Sequence, residues 1–373
     1  MILDLPVPTQ VLFGDGSLDR LGTSVRPHGR SALLVTGRTA ARRTGVLQRA
    51  RAALESAGVS VTHFDQVSAN PRALEVDGAA ALARDRGCDV VVGLGGGSAL
   101  DAAKAVAVAA GLAGSVRDVI GTTLEPDVRV LPVIAVPTTS GSGSEVTKGA
   151  IITDTERGFR SGIRGEALFP KVAIVDPGLT ASLPVEVLLD SVFDAFAHAV
   201  EGHVAVAATG DSRERSRRAI ALITSRLPEA VQGTSSPELR RDLSLAALLG
   251  GVNVATVSTC LPHRLQQAMG SVPGLGISHG RGLALVYPSW LHHTEAAAPA
   301  LFAEIAELLH APSAKQGVRS LLAGAGLGTR FRDWGVARSE LPRLVKGVSG
   351  NLGNDPAPLI DADYLHAICA EAY

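Results

Sequence analysis

Aromatic side chains are scarce in this chain: two tryptophans, three tyrosines and eight phenylalanines, 3% of 373 residues. Alanine and glycine are abundant instead, and small side chains permit close helix packing without identifying a function. Cysteine is nearly absent. Cys88, Cys260 and Cys369 are far apart, odd in number and form no Cys-x-x-Cys, which argues against a disulfide framework or a zinc ribbon and fits a reduced cytoplasm. Neither sign of charge is in excess, since 35 Lys and Arg face 36 Asp and Glu for a formal net charge of −1. That leaves no electrostatic case for nucleic acid or an anionic membrane. Arg38, Arg42 and Arg43 form a local cluster, not a basic domain. Long apolar runs are missing too. The stretch Ala105 to Val116 is broken by glycine and too short to span a bilayer. The first residues, with Asp4 and Pro6 and no basic region, do not read as a signal peptide.

What is present is a globular composition, 46% hydrophobic and 19% charged, in a chain long enough for two domains. The first half alternates strand and helix signals. Strand-like runs are Ala32–Thr36, Val59–Phe64, Cys88–Leu94, Val130–Val136 and Val172–Val175. Helical spacing covers Arg42–Ala57, Ala73–Arg86 and Ser98–Ala110. Such alternation predicts a parallel sheet covered by helices on both faces. From Ser182 onward the period is helical, over Val185–Val204, Asp211–Leu227, Pro237–Leu249, Leu283–His293 and Pro299–Leu309. The expected division is an α/β dinucleotide-binding domain over 1–181 and a helical metal- and substrate-binding domain over 182–373.

Two polar turns follow buried strands. Gly95-Gly96-Gly97-Ser98 leads into a helix through Asp101 and Lys104. Glycines let a backbone approach a pyrophosphate, and the helix's free N–H groups and dipole favour its charge, with Ser98 read as the N-cap. The spacing matches neither Gly-x-Gly-x-x-Gly nor Gly-Lys-Ser/Thr, so taken alone the turn also reads as a bland tight turn. The second turn, Pro137-Thr138-Thr139-Ser140-Gly141-Ser142-Gly143-Ser144-Glu145, also ends a strand, where ligands of open α/β sheets sit.

Asp194 and His198 fall at i and i+4 on one face of an apolar helix. A buried Asp is costly unless paired or coordinating. Alone, such a pair is more often an internal hydrogen bond. His263 and His279 lie far downstream, and spacing cannot say whether they join it. A carboxylate with imidazoles suits Fe²⁺ or Zn²⁺. His203 is off the face and reads as structural, and the remaining histidines read as surface or packing residues.

Taken together, Gly95-Gly-Gly-Ser-Ala-Leu-Asp-Ala-Ala-Lys104, Pro137 to Val146, Ala173-Ile-Val-Asp-Pro177, Asp194-Ala-Phe-Ala-His-Ala-Val-Glu201, His279-Gly-Arg-Gly-Leu-Ala284 and the ending from Asn354 resemble the iron-containing (group III) alcohol dehydrogenase family. The resemblance implies a Rossmann-like N-terminal α/β domain, an all-α C-terminal domain (a dehydroquinate-synthase-like architecture), and a cleft between them. It implies a divalent metal on Asp194, His198, His263 and His279, which would be the catalytic set. It also implies a nicotinamide cofactor on Gly37, Arg38, Gly95, Gly96, Gly97, Ser98, Asp101, Thr138, Thr139, Ser144 and Arg160. Gly37 stands where NAD-preferring members often carry an acidic residue, and Arg38, Arg42 or Arg43 can pair with a 2′-phosphate, so NADP(H) is expected ahead of NAD(H). Gln267 replaces a second histidine common in the family, and an amide cannot shuttle a proton at neutral pH. The loop from His263 to His279 reads as slightly long.

The expected reaction is reversible reduction of a small aldehyde, with no nucleic-acid or membrane partner, by a cytoplasmic homodimer. Arg160, Lys148 and Arg264 raise the option of an anionic aldehyde, phosphonoacetaldehyde-like or maleylacetate-like. The rivals are a dehydroquinate-synthase-like NAD/zinc cyclase, which needs more cations around its site, and a non-catalytic nucleotide-binding protein.

Overall fold

Strand β3 (Ser31–Gly37) shows why the first part of the chain forms a sheet buried on both faces. Its alternate residues enter two different cores. Leu33 and Val35 join one with Val91 and Ala103; Ala32 and Leu34 join the other with Val92 and Leu54. A strand buried on both sides reads as a continuous apolar run, which is the parallel-sheet signature. The structure, a computed structural model, describes residues 1–270, 272 and 275–373. The chain divides into two compact units, Met1–Leu183 and Pro184–Tyr373.

The first unit contains β1 (Ile2–Leu3), β2 (Gln10–Phe13), β3, β4 (Ser60–Val67), β5 (Val90–Gly95), β6 (Val133–Pro137), β7 (Gly149–Asp154), β8 (Phe159–Arg164) and β9 (Val172–Val175). Its helices are α1 (Leu21–Val25), α2 (Ala40–Arg43), α3 (Val46–Ser56), α4 (Ala73–Asp85) and α5 (Gly97–Ala109). The main sheet runs β1-β2-β9-β6-β5-β3-β4, and only the edge pair β1–β2 is antiparallel. Strands β7 and β8 form a separate hairpin. Asp154 caps its turn by accepting from the N–H groups of Glu156 and Arg157 at 3.0 and 3.2 Å. Neither this hairpin nor β1 and β2 is among the strands expected from the sequence.

Two expectations are corrected here. The helix read over Arg42–Ala57 is two helices, because Gly45 takes φ 74° and breaks the hydrogen-bond ladder. Ser98 is not the N-cap of its helix: α5 begins at Gly97 with extended Gly96 as cap, and the Ser98 hydroxyl donates to the Ala69 carbonyl.

The second unit is helical: α6 (Val185–Val204), α7 (Gly210–Val231), α8 (Pro237–Val257), α9 (Leu261–Met269), α10 (His279–Thr294), α11 (Pro299–Leu308), α12 (Ala314–Gly324), α13 (Leu341–Lys346) and α14 (Ala362–Glu371). The few aromatics concentrate here. Phe193, Phe196, Tyr287, Trp290 and Phe302 form one chain of ring contacts beside α6. The first part of the segment from His263 to His279, as far as Met269, is helix α9 rather than loop. Pro262 opens it, where a missing N–H costs nothing, and Leu261, Leu265, Ala268 and Met269 bury one face. Residues 271, 273 and 274 of that segment lie outside the described residues.

Candidate functional site

In the first unit the two polar turns meet. Gly95 ends β5 beside Pro137, which ends β6, and Thr138 N–H donates to the Gly95 carbonyl at 2.9 Å. Gly95 has φ +154°, and a Cβ there would fall 2.7 Å from that of Ala99. A Cβ on Gly97 would sit 2.7 Å from Ser142 Oγ. The turns are therefore packed through glycine, and no side chain caps the start of α5. That is a cradle a side chain would fill, and it suits a pyrophosphate. Gly37 ends β3 in the same sheet, at the same carboxyl edge as Gly95 and Pro137.

Asp101 and Lys104 explain how the second turn is held. Lys104 is fully buried, and its ammonium donates to the carbonyls of Ser144 (3.0 Å), Thr147 and Gly149 and to the Thr147 hydroxyl (3.1 Å). Asp101 accepts from Ser144 Oγ at 2.5 Å and from Ile151 N–H at 2.8 Å. So Asp101 and Ser144, both read as cofactor residues, are bonded to each other. Burial lowers the Lys104 ammonium's pKa, while Asp101 and Glu145 act to keep it charged. Burial likewise lowers the Arg160 guanidinium, with Asp101 the neighbouring anion. Arg38 lies 3.5 Å from Glu75 and Arg42 2.6 Å from Asp65, both at the surface.

In the second unit, Asp194, His198 and Glu201 form a stripe on α6 at 0, +4 and +7. His263 comes from α9 and His279 from the start of α10. The Nε2 atoms of His198, His263 and His279 lie 3.6, 3.5 and 3.3 Å from one oxygen, Asp194 Oδ1. These distances exceed a normal N–H···O bond. Ligands about 2.1 Å from a tetrahedral ion stand about 3.4 Å apart. Asp194 Oδ1 and His263 Nε2 are buried and make no hydrogen bond, which would be costly without a cation. The ligand atoms of Asp194, His263 and His279 all lie within 4.8 Å of one another, and His198 Nε2 approaches the same Asp194 oxygen; one carboxylate with imidazoles is a donor set that suits Fe²⁺ or Zn²⁺.

Burial alone would push the Asp194 carboxyl up. The imidazoles of His198, His279 and His263 outweigh it and hold the group well below the usual range. Burial pulls His198 down to about 4 despite Asp194, leaving a neutral ring suited to ligation. Burial acts the same way on His263, but Glu201 and Asp194 outweigh it and push that ring up to about 9.

Glu201 and Gln266 are not among the site residues expected from the sequence. Glu201 is fully buried; its Oε1 takes His263 Nδ1 at 2.7 Å and its Oε2 takes the Cys260 N–H at 2.6 Å. Gln266 Oε1 takes His279 Nδ1 at 2.5 Å. Glu201 was findable, because a Glu seven residues after Asp194 shares its face and a buried Glu needs a partner. Gln266 was not, since α9 itself went unassigned. The Asn354-Asp355 ending also has a local task. Asn354 Nδ2 donates to the Val257 and Thr259 carbonyls, and Asp355 accepts from the Leu261 N–H, fixing the turn that leads into α9.

His203 is buried with Nε2 3.2 Å from Glu304, away from this group. Lys148 is ion-paired with Glu166 at 2.7 Å, and Arg264, mostly buried on α9, donates to Ser258 Oγ at 3.2 Å. A second cluster, His292, His293 and Glu371, lies at the surface. Lys315 and Arg319 share its carboxylate at 3.5 and 3.8 Å and would oppose another cation.

Two family models fit the chain: one for iron-containing alcohol dehydrogenases over residues 8–177, and one for the C-terminal part of that family over 188–372. The chain belongs to the iron-containing alcohol dehydrogenase family. It is 29% identical over 351 residues to the NAD-dependent methanol dehydrogenase of Bacillus methanolicus, covering 91% of each protein. Its fold matches the archaeal halo-thermophilic Red Sea brine pool alcohol dehydrogenase with a TM-score of 0.93 at 30% identity, over 100% of this chain and 99% of that one. It also matches the sulfoacetaldehyde reductase from Bifidobacterium kashiwanohense in complex with NAD⁺, with a TM-score of 0.87 at 27% identity, over 100% and 98%. Membership makes this chain an iron-type alcohol dehydrogenase, an oxidoreductase that uses a metal and a nicotinamide cofactor. Among the described residues no single helix is long and apolar enough to cross a membrane.

Proposed function

We propose that this dehydrogenase reduces a small aldehyde to its primary alcohol, reversibly, with one ion held by Asp194, His198, His263 and His279. The observation that carries this is the convergence of three ring nitrogens on Asp194 Oδ1 at 3.3–3.6 Å. A divalent ion there supplies Lewis acidity for a carbonyl oxygen, and the nicotinamide supplies hydride. The chain's own contribution is to bind and orient. Glu201 fixes the His263 ring, Gln266 fixes the His279 ring, and Lys104 with Asp101 holds the Thr138–Ser144 turn against Gly95–Ser98 for the dinucleotide. Gln267 offers no titratable proton, so the product's proton does not come from that position. The test measures metal content per chain and follows nicotinamide absorbance over a panel of aldehydes with both cofactors. Full activity after metal removal would sink the reading.

NADPH is proposed over NADH. Gly37 leaves no carboxylate to repel a 2′-phosphate, and Arg38 and Arg42 would exchange exposed ion pairs, each worth little, for that phosphate. Two of the similar proteins above are named with NAD, so this preference would set the chain apart. An anionic aldehyde is the second reading. It draws on the likeness to a sulfoacetaldehyde reductase and on the cation of Arg264, one residue after His263, which is buried and donates to Ser258 Oγ; Lys148 is ion-paired with Glu166. A loss in Arg264→Ala that is selective for an anionic over a neutral aldehyde would support it.

A further inference from the structure

The three candidate histidines are backed unequally. The outer nitrogen of His263 is bonded to a buried carboxylate, Glu201, at 2.7 Å. That of His279 is bonded to a neutral amide, Gln266, at 2.5 Å. That of His198 has no hydrogen-bond partner, but its ring stacks on His263 with centroids 4.6 Å apart and sits on a helix buried along that face. His279 is also the most open of the set, with 33% of its side chain exposed against 5–7% for His263, His198 and Asp194. It occupies the first position of α10, where the positive end of the helix dipole opposes charge donation toward a cation. A carboxylate behind an imidazole raises its basicity as a ligand, and an amide does so less. Compared with His263, His279 is therefore the weaker donor on three counts: an amide rather than a carboxylate behind it, greater exposure and a helix N-terminus.

We propose that Gln266 is a positioning residue for His279 and sets how fast this enzyme releases its ion. The inference rests on the ligand set proposed above. Gln266 takes the Nδ1–H, which leaves the Nε2 lone pair directed at Asp194 Oδ1, 3.3 Å away. The amide has little freedom, because it is 1% exposed and lies against Gly282. A Cβ on residue 282 would sit 3.0 Å from Gln266 Cγ and 3.2 Å from its Nε2. Gly282 thus provides the space in which Gln266 reaches the ring. His279 is the arm most open to solvent, and Gln266 is its tether.

The test loads the full-length chain with Co²⁺ alone, adds excess chelator and follows loss of the visible cobalt absorbance. Gln266→Leu removes the acceptor and should release the ion about tenfold faster; Gln266→Glu places a second carboxylate behind a ligand and should release it about tenfold slower. Gly282→Ala should fall between wild type and Gln266→Leu. The cobalt spectrum should change in Gln266→Leu and keep its four-ligand shape in Gln266→Glu. A merely structural role would not give opposite signs for the two variants. If Gln266→Leu fails to fold, the slower release of Gln266→Glu decides alone. Equal release rates overturn the tether and leave the ligand set standing. A wild-type chain that takes up no Co²⁺ overturns both.

Discussion

The two units place polar chemistry by opposite means. In Met1–Leu183 the candidate cofactor site is made largely of backbone: glycine turns at the ends of β5 and β6, pressed together so tightly that a methyl group on Gly97 would strike Ser142. Its buried Lys104 and half-buried Asp101 hold a loop of the scaffold. In Pro184–Tyr373 the candidate metal site is made of side chains from three helices, each ring backed or packed separately. A backbone site is written in one stretch of sequence. A side-chain site is spread along it, with Glu201 and His263 separated by 62 positions.

The comparison breaks most visibly in the second unit. His263→Ala or His279→Ala should cost about 100-fold or more in metal affinity, since even outer partners of ligands are worth 10–100-fold. Aldehyde reduction should fall with it, while titration with NADPH still shows dinucleotide binding. In the first unit, removing one polar side chain at the cofactor turn, as in Ser98→Ala, should leave cofactor affinity nearly unchanged, because the backbone supplies the contacts. A large loss in Ser98→Ala, or retained metal in His263→Ala, would invert the contrast.

The next effect in size concerns scaffold rather than ligand. Lys104→Met leaves three carbonyls and the Asp101 carboxylate without their buried cation. Removing one partner of such a group costs about 3–5 kcal/mol. Denaturant unfolding should show that loss, with a rise in KM for the cofactor as the Thr138–Ser144 turn loosens. A stable variant with only its kcat reduced would instead place Lys104 in the chemistry.

These differences also explain what the sequence made legible. Strands β3, β5, β6 and β9 were readable because burial on both faces leaves a continuous apolar run. Helix α6 was readable because it is long and apolar, with every residue from Val192 to Val204 buried. The β7–β8 hairpin was not: more than half of its strand residues are polar or glycine, and its buried Ala150, Ile152 and Ile163 look like any loop hydrophobes. Helix α9 was missed because it is short and opens on proline. With it went Gln266, whose role depends on a partner 13 residues away in another helix. Neither period nor spacing carries that information.

Gly37→Asp sharpens the comparison inside the backbone site. A Cβ at this position meets nothing closer than Val67 O at 3.9 Å, so the substitution fits without strain. The new carboxylate should repel a 2′-phosphate and move the ratio of kcat/KM for NADPH over NADH by about tenfold, or about 1.4 kcal/mol. A wild type that already favours NADH removes the argument for Arg38.

A last contrast separates the two units by the kind of carboxyl they bury. In the second, three imidazoles hold Asp194 low. In the first, burial pushes the Glu145 carboxyl up to about 7 against an ordinary 4.5, with Lys104 only partly offsetting it. Between those two values the folded chain holds a proton that the unfolded chain has lost. The resulting contribution to stability is fully present below about pH 4.5 and is lost as pH rises through about 7, with a slope of at most about 1.4 kcal/mol per pH unit. Glu145→Gln keeps the neutral shape and cannot titrate. Its unfolding free energy should change less between pH 5 and pH 8 than that of the wild type, with the two curves converging at the acid end. Parallel curves across that range would show that Glu145 is ionised in the fold, paired with Lys104 as a buried ion pair.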